Sequence, residues 1–366
     1  MSQDISFMRH ALALARRGLG QVAPNPSVGC VIVRDGRIVG RGWTQPGGRP
    51  HAEPVALADA GDAARGATVY VSLEPCAHHG ASPPCTDALI AAGVAKVVYA
   101  LRDPDPRVDG TGHTRLADAG IEVVSGLLEK EAEELNRGFL TRIRKKRPFV
   151  TLKLATSLDG KVALANGRSQ WITGPGARAV SHQIRASHDA IMTGIGTVLA
   201  DDPALTCRLP GLSARSPDRV ILDGGLRLTV DREVVETARD IPTTVITAVA
   251  ADDPKALALT EAGVEVLGGM AVKDGRLDLD ATLSLLAERG VTRLMVESGG
   301  ELASTFVREE RVDELVWFRA PAIIGGDGLS AVRNLDLELL EFMPRFERRY
   351  VRPVGEDLVE TYRRRN

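Results

Sequence analysis

From Phe7 to Gly18 apolar residues recur every three and four positions with basic residues between them, which predicts an amphipathic first helix. The apolar run from Val28 to Val33, the pair Asp35-Gly36 and the segment RIVGRGW then predict a β-hairpin, since Asp-Gly takes the positive φ that a two-residue turn needs. A helix is expected from about Pro54 to Ala64. The runs ATVYVSLEP and AKVVYAL read as buried strands, with a helix beginning near Pro84 between them. Helices alternating with strands in this way predict a layered α/β domain.

The stretch from Asn136 to Phe149, NRGFLTRIRKKRPF, concentrates basic residues and closes on a proline and a phenylalanine, so it reads as an exposed connector. The boundary is expected near residue 146, giving domains 1–146 and 147–366. Beyond it the alternation resumes. FVTLKLATSLDG, HDAIMTG, DRVILDG and TTVITAV read as strands, with a helix ARAVSHQIRAS among them. A helix DATLSLLAERG, a strand TRLMVESGG, a helix ELASTFVREE and a strand VDELVWF follow. No fixed-period repeat relates the two halves.

Composition narrows the function classes. At 366 residues the chain exceeds what one core usually serves, which supports two domains. Lys plus Arg (46) nearly balance Asp plus Glu (48), so no face built to grip a polyanion is expected and nucleic acid is not an expected partner. The basic run Arg142 to Arg147 then reads as solvated, and Trp43, Trp171 and Trp317 are too dispersed for a stacking platform. The N-terminus lacks the apolar core of a secretory signal, and no uncharged apolar stretch reaches membrane-spanning length, so a cytoplasmic protein without a membrane partner is expected. Four cysteines are too few for a disulfide scaffold. Cys30 and Cys207 read as structural.

The other two cysteines carry chemistry. His51-Ala52-Glu53 is followed by Glu74-Pro75-Cys76 and then by Cys85. Zinc deaminases need one His and two Cys as ligands, an open fourth position for water, and a Glu that is not a ligand. His51, Cys76 and Cys85 are the candidate ligands, and Glu53 the group that moves protons between water, ring nitrogen and departing amine. Pro54 fits the first turn of a helix that begins at the HAE triplet, Cys85 opens another helix, and Cys76 is read as placed similarly after its own proline. The generic signature has two residues between its cysteines, whereas eight separate Cys76 from Cys85, with His78 and His79 in the interval as rival ligands ranked lower.

APNPSVGCVIV, GGRPHAEPVAL, LEPCAHHGASPPCTDALIAAGV and KLATSLDGKVA together resemble the bifunctional deaminase-reductase family of riboflavin biosynthesis, over almost the whole chain. In that family the eight-residue spacing is the normal one. The resemblance implies an α/β protein with an N-terminal cytidine-deaminase-like three-layer domain and a C-terminal dihydrofolate-reductase-like domain. It implies zinc-dependent deamination of 2,5-diamino-6-(5-phosphoribosylamino)pyrimidin-4-one, followed by NADPH-dependent reduction of the ribosyl chain to ribityl. Asn25 is then expected on the pyrimidine. Thr44 stands where the family often has His, and Pro54 where an aliphatic residue is more usual.

For the second half the resemblance places Ala155, Trp171, Thr197, Asp201, Gly299 and Gly300 near NADPH. It places Lys153, Ser169, Arg185, Leu205, Arg208 and Glu297 near the substrate, a small pyrimidine ribosyl phosphate. Arginines suit its phosphate because their planar fork pairs with two oxygens. The Glu297–Gly300 segment ESGG reads as a strand-to-helix turn that lets backbone approach a cofactor phosphate. Lys153 and Asp201 are candidate proton donors, and a homo-oligomer is expected. A deaminase carrying a non-catalytic C-terminal domain is the alternative.

Overall fold

The computed structural model describes residues 2–78, 83–105 and 109–365. The chain divides into two compact units, Met1–Arg147 and Pro148–Asn366. No helix among the described residues is long and apolar enough to cross a membrane.

The first unit runs α1 (Ser2–Ala15), β1 (Gly29–Arg34), β2 (Arg37–Trp43), α2 (Ala52–Ala60), β3 (Thr68–Leu73), α3 (Cys85–Ala92), β4 (Lys96–Leu101), α4 (Thr111–Asp118), β5 (Glu122–Ser125) and α5 (Glu129–Lys145). Its sheet has the order β2-β1-β3-β4-β5, antiparallel in β2-β1-β3 and parallel from β3 onward. Glycines decide how closely helices approach it. Cys30 pairs with Gly42 and Ile32 with Gly40, so all four side-chain positions share one face. There a Cβ on Gly42 would lie 2.1 Å from the Ala52 carbonyl oxygen, and one on Gly40 2.3 Å from that of Ala56. Gly29, on the opposite face, admits α1 in the same manner: a Cβ would lie 2.0 Å from the Ala11 oxygen. Helices therefore cover both faces, and α2 is pressed onto the sheet at the end that bears His51 and Glu53.

Two expectations need correction. The helix placed at Pro54–Ala64 begins at Ala52 and stops at Ala60, where Gly61 takes φ 53°, and a short 3-10 turn continues to Ala64. The segment from Asn136 onward is not an exposed connector but part of α5, which continues to Lys145. Ala132, Leu135, Asn136, Phe139 and Leu140 recur at helical spacing and are buried. The cluster Arg142, Arg144 and Lys145 forms the last turn, where cations suit the helix dipole. The helix ends as Lys146 turns left-handed.

The second unit comprises β6 (Phe149–Thr156), β7 (Lys161–Ala163), α6 (Pro175–Arg185), β8 (Ala190–Gly194), α7 (Ile195–Asp201), β9 (Asp218–Leu222), α8 (Glu233–Glu236), β10 (Thr243–Ile246), α9 (Pro254–Glu261), β11 (Glu265–Leu267), β12 (Val272–Lys273), β13 (Arg276–Leu277), α10 (Leu279–Glu288), β14 (Arg293–Glu297), α11 (Gly300–Arg308), β15 (Glu314–Arg319), β16 (Leu329–Ser330), β17 (Phe346–Val354) and β18 (Asp357–Arg364). Nine strands form the main sheet in the order β11-β10-β9-β8-β14-β6-β15-β18-β17. It is parallel from β11 to β15, and β18 and β17 add an antiparallel edge. Val150, Leu152, Met192, Leu294 and Val296 from its three central strands are fully buried. Those strands, β8, β14 and β6, end side by side, and the crevice outside the carboxyl ends of parallel strands is where such sheets take ligands.

Candidate active sites

In the first unit, the loop after β3 and the N-termini of α2 and α3 meet at one point. His51 is the N-cap of α2 and Cys85 the first residue of α3. His51 Nδ1 lies 3.3 Å from Cys85 Sγ and 3.7 Å from Cys76 Sγ. Bond lengths of about 2.3 Å to sulfur and 2.0 Å to nitrogen imply donor separations of about 3.6 Å around a tetrahedral ion, so the donor set fits zinc. Among the described residues these three are the one such donor group, and His78 is not part of it. His79 lies outside the described residues.

Cys76 does not open a helix; it sits in the loop, where the Cys85 backbone N–H donates to its sulfur at 3.4 Å. The dipole of α3 therefore reaches the neighbouring thiolate as well as its own. Bonding to Cys85 holds the Cys76 thiol down to about 4, against burial, while Cys76 and burial push the Cys85 thiol far up. One thiolate forms readily and resists the second. A dication removes that resistance.

Glu53 is 3% exposed, and burial followed by the charge of Cys76 raises its carboxyl to about 7. A carboxyl poised near neutrality suits a group that must both take and give a proton. Glu74 went unassigned in the sequence, although it belongs to the Glu-Pro-Cys triplet. Buried, it accepts from the backbone N–H groups of Gly110 and His113, each at 3.1 Å, and of Asp103 at 3.4 Å. It thereby ties the end of β3, just before Cys76, to the loop that follows β4 and the start of α4. The signal was a carboxylate directly after an apolar strand, where solvation is scarce. Thr44 is 1% exposed, and its hydroxyl accepts from Val28 N–H at 3.0 Å and reaches the Pro26 carbonyl at 3.2 Å. It staples the backbone there. Asn25 donates to the Gly48 carbonyl at 3.3 Å, three residues before His51.

In the second unit Glu297 ends β14 beside Lys153 of β6. Its carboxylate accepts both Arg185 Nε–H at 2.7 Å and Nη2–H at 2.8 Å, with Lys153 Nζ at 3.5 Å. Burial alone would raise this carboxyl, but Arg185 and then Lys153 hold it well below the ordinary carboxylate range. Arg185 also donates to the Thr206 carbonyl at 2.8 Å, which brings in the loop of Leu205 and Arg208. Leu205 takes φ 55° at the start of that loop and is buried. Ser169 bonds to Asp201, whose carboxyl burial pushes upward. Ala155 lies two positions beyond Lys153 on β6.

Thr197 Oγ1 accepts the Gly299 N–H at 3.2 Å, joining α7 to the N-cap of α11. The two glycines there differ. A Cβ on Gly299 would have Thr197 Oγ1 at 3.8 Å as its near neighbour, so its space is open, whereas one on Gly300 would lie 2.4 Å from the Ser330 carbonyl oxygen. Gly300 is thus demanded by chain packing, while Gly299 keeps open space at the start of α11. Trp171 is 66% exposed and stacks under the Arg178 guanidinium, 4.7 Å from its ring centre. A further buried cation, Arg219, went unremarked in the sequence; it holds the Ala204, Thr237 and Ile241 carbonyls.

Residues 1–101 match the family model of the cytidine and deoxycytidylate deaminase zinc-binding region, and residues 148–359 that of the RibD C-terminal domain. The riboflavin biosynthesis protein RibD of Escherichia coli K12 is 43% identical, over 97% of this chain and 98% of its own. The solved structure of Acinetobacter baumannii RibD, form 1, superposes with a TM-score of 0.90 at 38% identity, covering 100% of this chain and 99% of that one. A diaminohydroxyphosphoribosylaminopyrimidine deaminase/5-amino-6-(5-phosphoribosylamino)uracil reductase from Thermotoga maritima gives 0.86 at 37% identity, covering 99% of each chain. With the zinc donor set in one unit and the reductase-type sheet in the other, the chain belongs to the RibD family, the bifunctional deaminase-reductases of riboflavin biosynthesis.

Proposed function

We propose that the first unit removes the C2 amino group of 2,5-diamino-6-(5-phosphoribosylamino)pyrimidin-4-one and that the second reduces the ribosyl chain of the resulting uracil to ribityl with NADPH. The observation that carries the first half is the donor set of His51, Cys76 and Cys85 with a buried Glu53 against it. Zinc, when bound, supplies Lewis acidity and a water that is nucleophilic at neutral pH. Glu53 takes one proton from the water as the C2–O bond forms and passes it to the ring nitrogen; it then takes the remaining proton of the C2 hydroxyl, as that oxygen becomes a carbonyl, and gives it to the amine as the C2–N bond breaks, giving ammonia. Asn25 orients the pyrimidine.

In the second unit Arg208 and Arg185 face the substrate, with Lys153, Ser169, Leu205 and Glu297 around them. Ala155, Trp171, Thr197, Asp201, Gly299 and Gly300 line the cofactor side; Gly299 is the position with room for a phosphate at the start of α11. NADPH, when bound, supplies the two electrons of the reduction. Lys153 is engaged with Glu297, which favours Asp201, raised by burial, as the group that holds a transferable proton. A homo-oligomer working in the cytoplasm completes the reading. Its support is the edge strand β17 and the neighbouring Leu340 and Phe342, 77% and 59% exposed, an apolar border of the kind subunits cover.

The test supplies zinc-loaded protein with the diaminopyrimidine ribosyl phosphate and NADPH, and follows ammonia and NADPH together. Ammonia release followed by NADPH oxidation is the expected outcome. Ammonia alone would leave the second unit without the proposed activity, and neither signal would overturn the substrate.

A further inference from the structure

Two contacts converge on one nitrogen of His182, in the last turn of α6. Its Nδ1 lies 3.1 Å from the Thr206 carbonyl oxygen and 3.3 Å from the Arg208 backbone nitrogen. An imidazole nitrogen donates when it carries a proton and accepts when it does not, so it serves one of these partners at a time. Thr206 O already accepts Arg185 Nη1–H at 2.8 Å, whereas the Arg208 N–H is directed at His182. The backbone oxygen of His182 meanwhile accepts the Cys207 S–H at 3.4 Å. One residue thus grips the segment Thr206–Arg208 from both its ring and its main chain.

We infer that His182 is a positioning residue of the reductase site: its Nδ1 accepts the Arg208 N–H and so sets the Arg208 side chain toward the substrate's phosphate. The inference rests on the proposed function, in which Arg208 meets that phosphate. Burial and the cations around the ring favour its neutral form, in which Nδ1 accepts when the proton sits on Nε2. Burial, then Arg185 on its own helix and Arg208 on the loop, hold His182 below the ordinary histidine value. The Thr206 carbonyl and then Glu297 on β14 oppose them, but the carbonyl is already engaged by Arg185 and the Glu297 charge is shared by Arg185 and Lys153 of β6. Protonation at acid pH turns Nδ1 into a donor, and the Arg208 N–H loses its acceptor.

Two variants separate this role from plain packing. His182→Asn places an amide oxygen where Nδ1 stood and does not titrate; His182→Leu removes the acceptor. Reductase kinetics are measured on supplied 5-amino-6-(5-phosphoribosylamino)uracil from about pH 5.5 to 8.5, across the histidine range. Near neutral pH, His182→Leu should raise the substrate KM about three- to tenfold, the loss of one hydrogen bond to the exposed Arg208 N–H, with kcat and the NADPH KM within about twofold. His182→Asn should restore the substrate KM. As the pH falls, the wild-type KM should climb relative to that of His182→Asn, whose profile reports the substrate phosphate alone. An unchanged KM in His182→Leu, a common loss of kcat and both KM values, or parallel wild-type and His182→Asn profiles would overturn the inference. A wild type that does not turn over this substrate would instead remove the proposed function, and the inference with it.

Discussion

The donors of the deaminase site lie within one short stretch of chain, His51 and Cys85 being 34 residues apart, whereas Lys153, Arg185 and Glu297 come together across up to 144 residues. The two sites also differ in how charge is balanced. In the first, the Cys76 thiolate suppresses ionisation of Cys85, so the donor set is electrically complete only around a cation. In the second, two cations surround one buried carboxylate, whose charge is balanced by protein groups alone. A site of the first kind should be switched off by removing its ion and leave the fold standing. One of the second kind should lose geometry and stability together.

The largest expected effect tests that contrast directly. Cys76→Ser, or removal of zinc with a chelator, should bring ammonia release to background while NADPH oxidation with supplied uracil substrate continues. Loss of both activities would break the independence of the two sites. Glu53→Gln should retain zinc, measured by metal analysis, yet lower the deamination rate by about 10²- to 10⁴-fold, the usual worth of a proton shuttle. Zinc lost from that variant would make Glu53 structural.

Glu297→Gln strands Arg185 and Lys153 without their counter-charge. Removing one partner of a buried ion pair costs about 3–5 kcal/mol, read as a lower urea midpoint by tryptophan fluorescence and circular dichroism. The sign with pH follows from the lowered carboxyl of Glu297: its contribution is complete above the ordinary carboxylate value of about 4.3 and disappears only in stronger acid. The difference between wild type and variant should therefore be flat from about pH 8 to about pH 5, and a difference that shrinks in that window would contradict the network. The smallest effect is expected from Glu74→Gln, which keeps shape but loses charge toward three backbone donors. Zinc affinity should fall about 10- to 100-fold, as when other supports behind a ligand are altered, with reductase kinetics unchanged.

Legibility in the sequence followed the same division. His51, Glu53, Cys76 and Cys85 were readable because ligand identity and spacing are local, and a helix N-cap or first turn is announced by the residues that form it. Glu74 stood in the same motif but gained a role only when β4 and α4 delivered their amides to it. Thr44 looked like a departure from a substrate pocket, and its hydroxyl proved to be spent on Val28 and Pro26. The basic tail of α5 hid a helix because its charges drew attention from the buried stripe of Leu135, Phe139 and Leu140. The hairpin β17-β18 escaped because FERRYVRPV is exposed along nearly its whole length and carries no alternating pattern.

By itself the sequence determined the alternation of helices and strands and the zinc donor set, both of them matters of short-range pattern and residue chemistry. The tertiary structure alone decided that Gly300 makes room for Ser330 while Gly299 stays open, that Arg185 rather than solvent neutralises Glu297, and that His182 holds the Arg208 loop. Those outcomes depend on which strands lie side by side in the sheet. Strand order is a property of the whole chain, and no window along it contains that information.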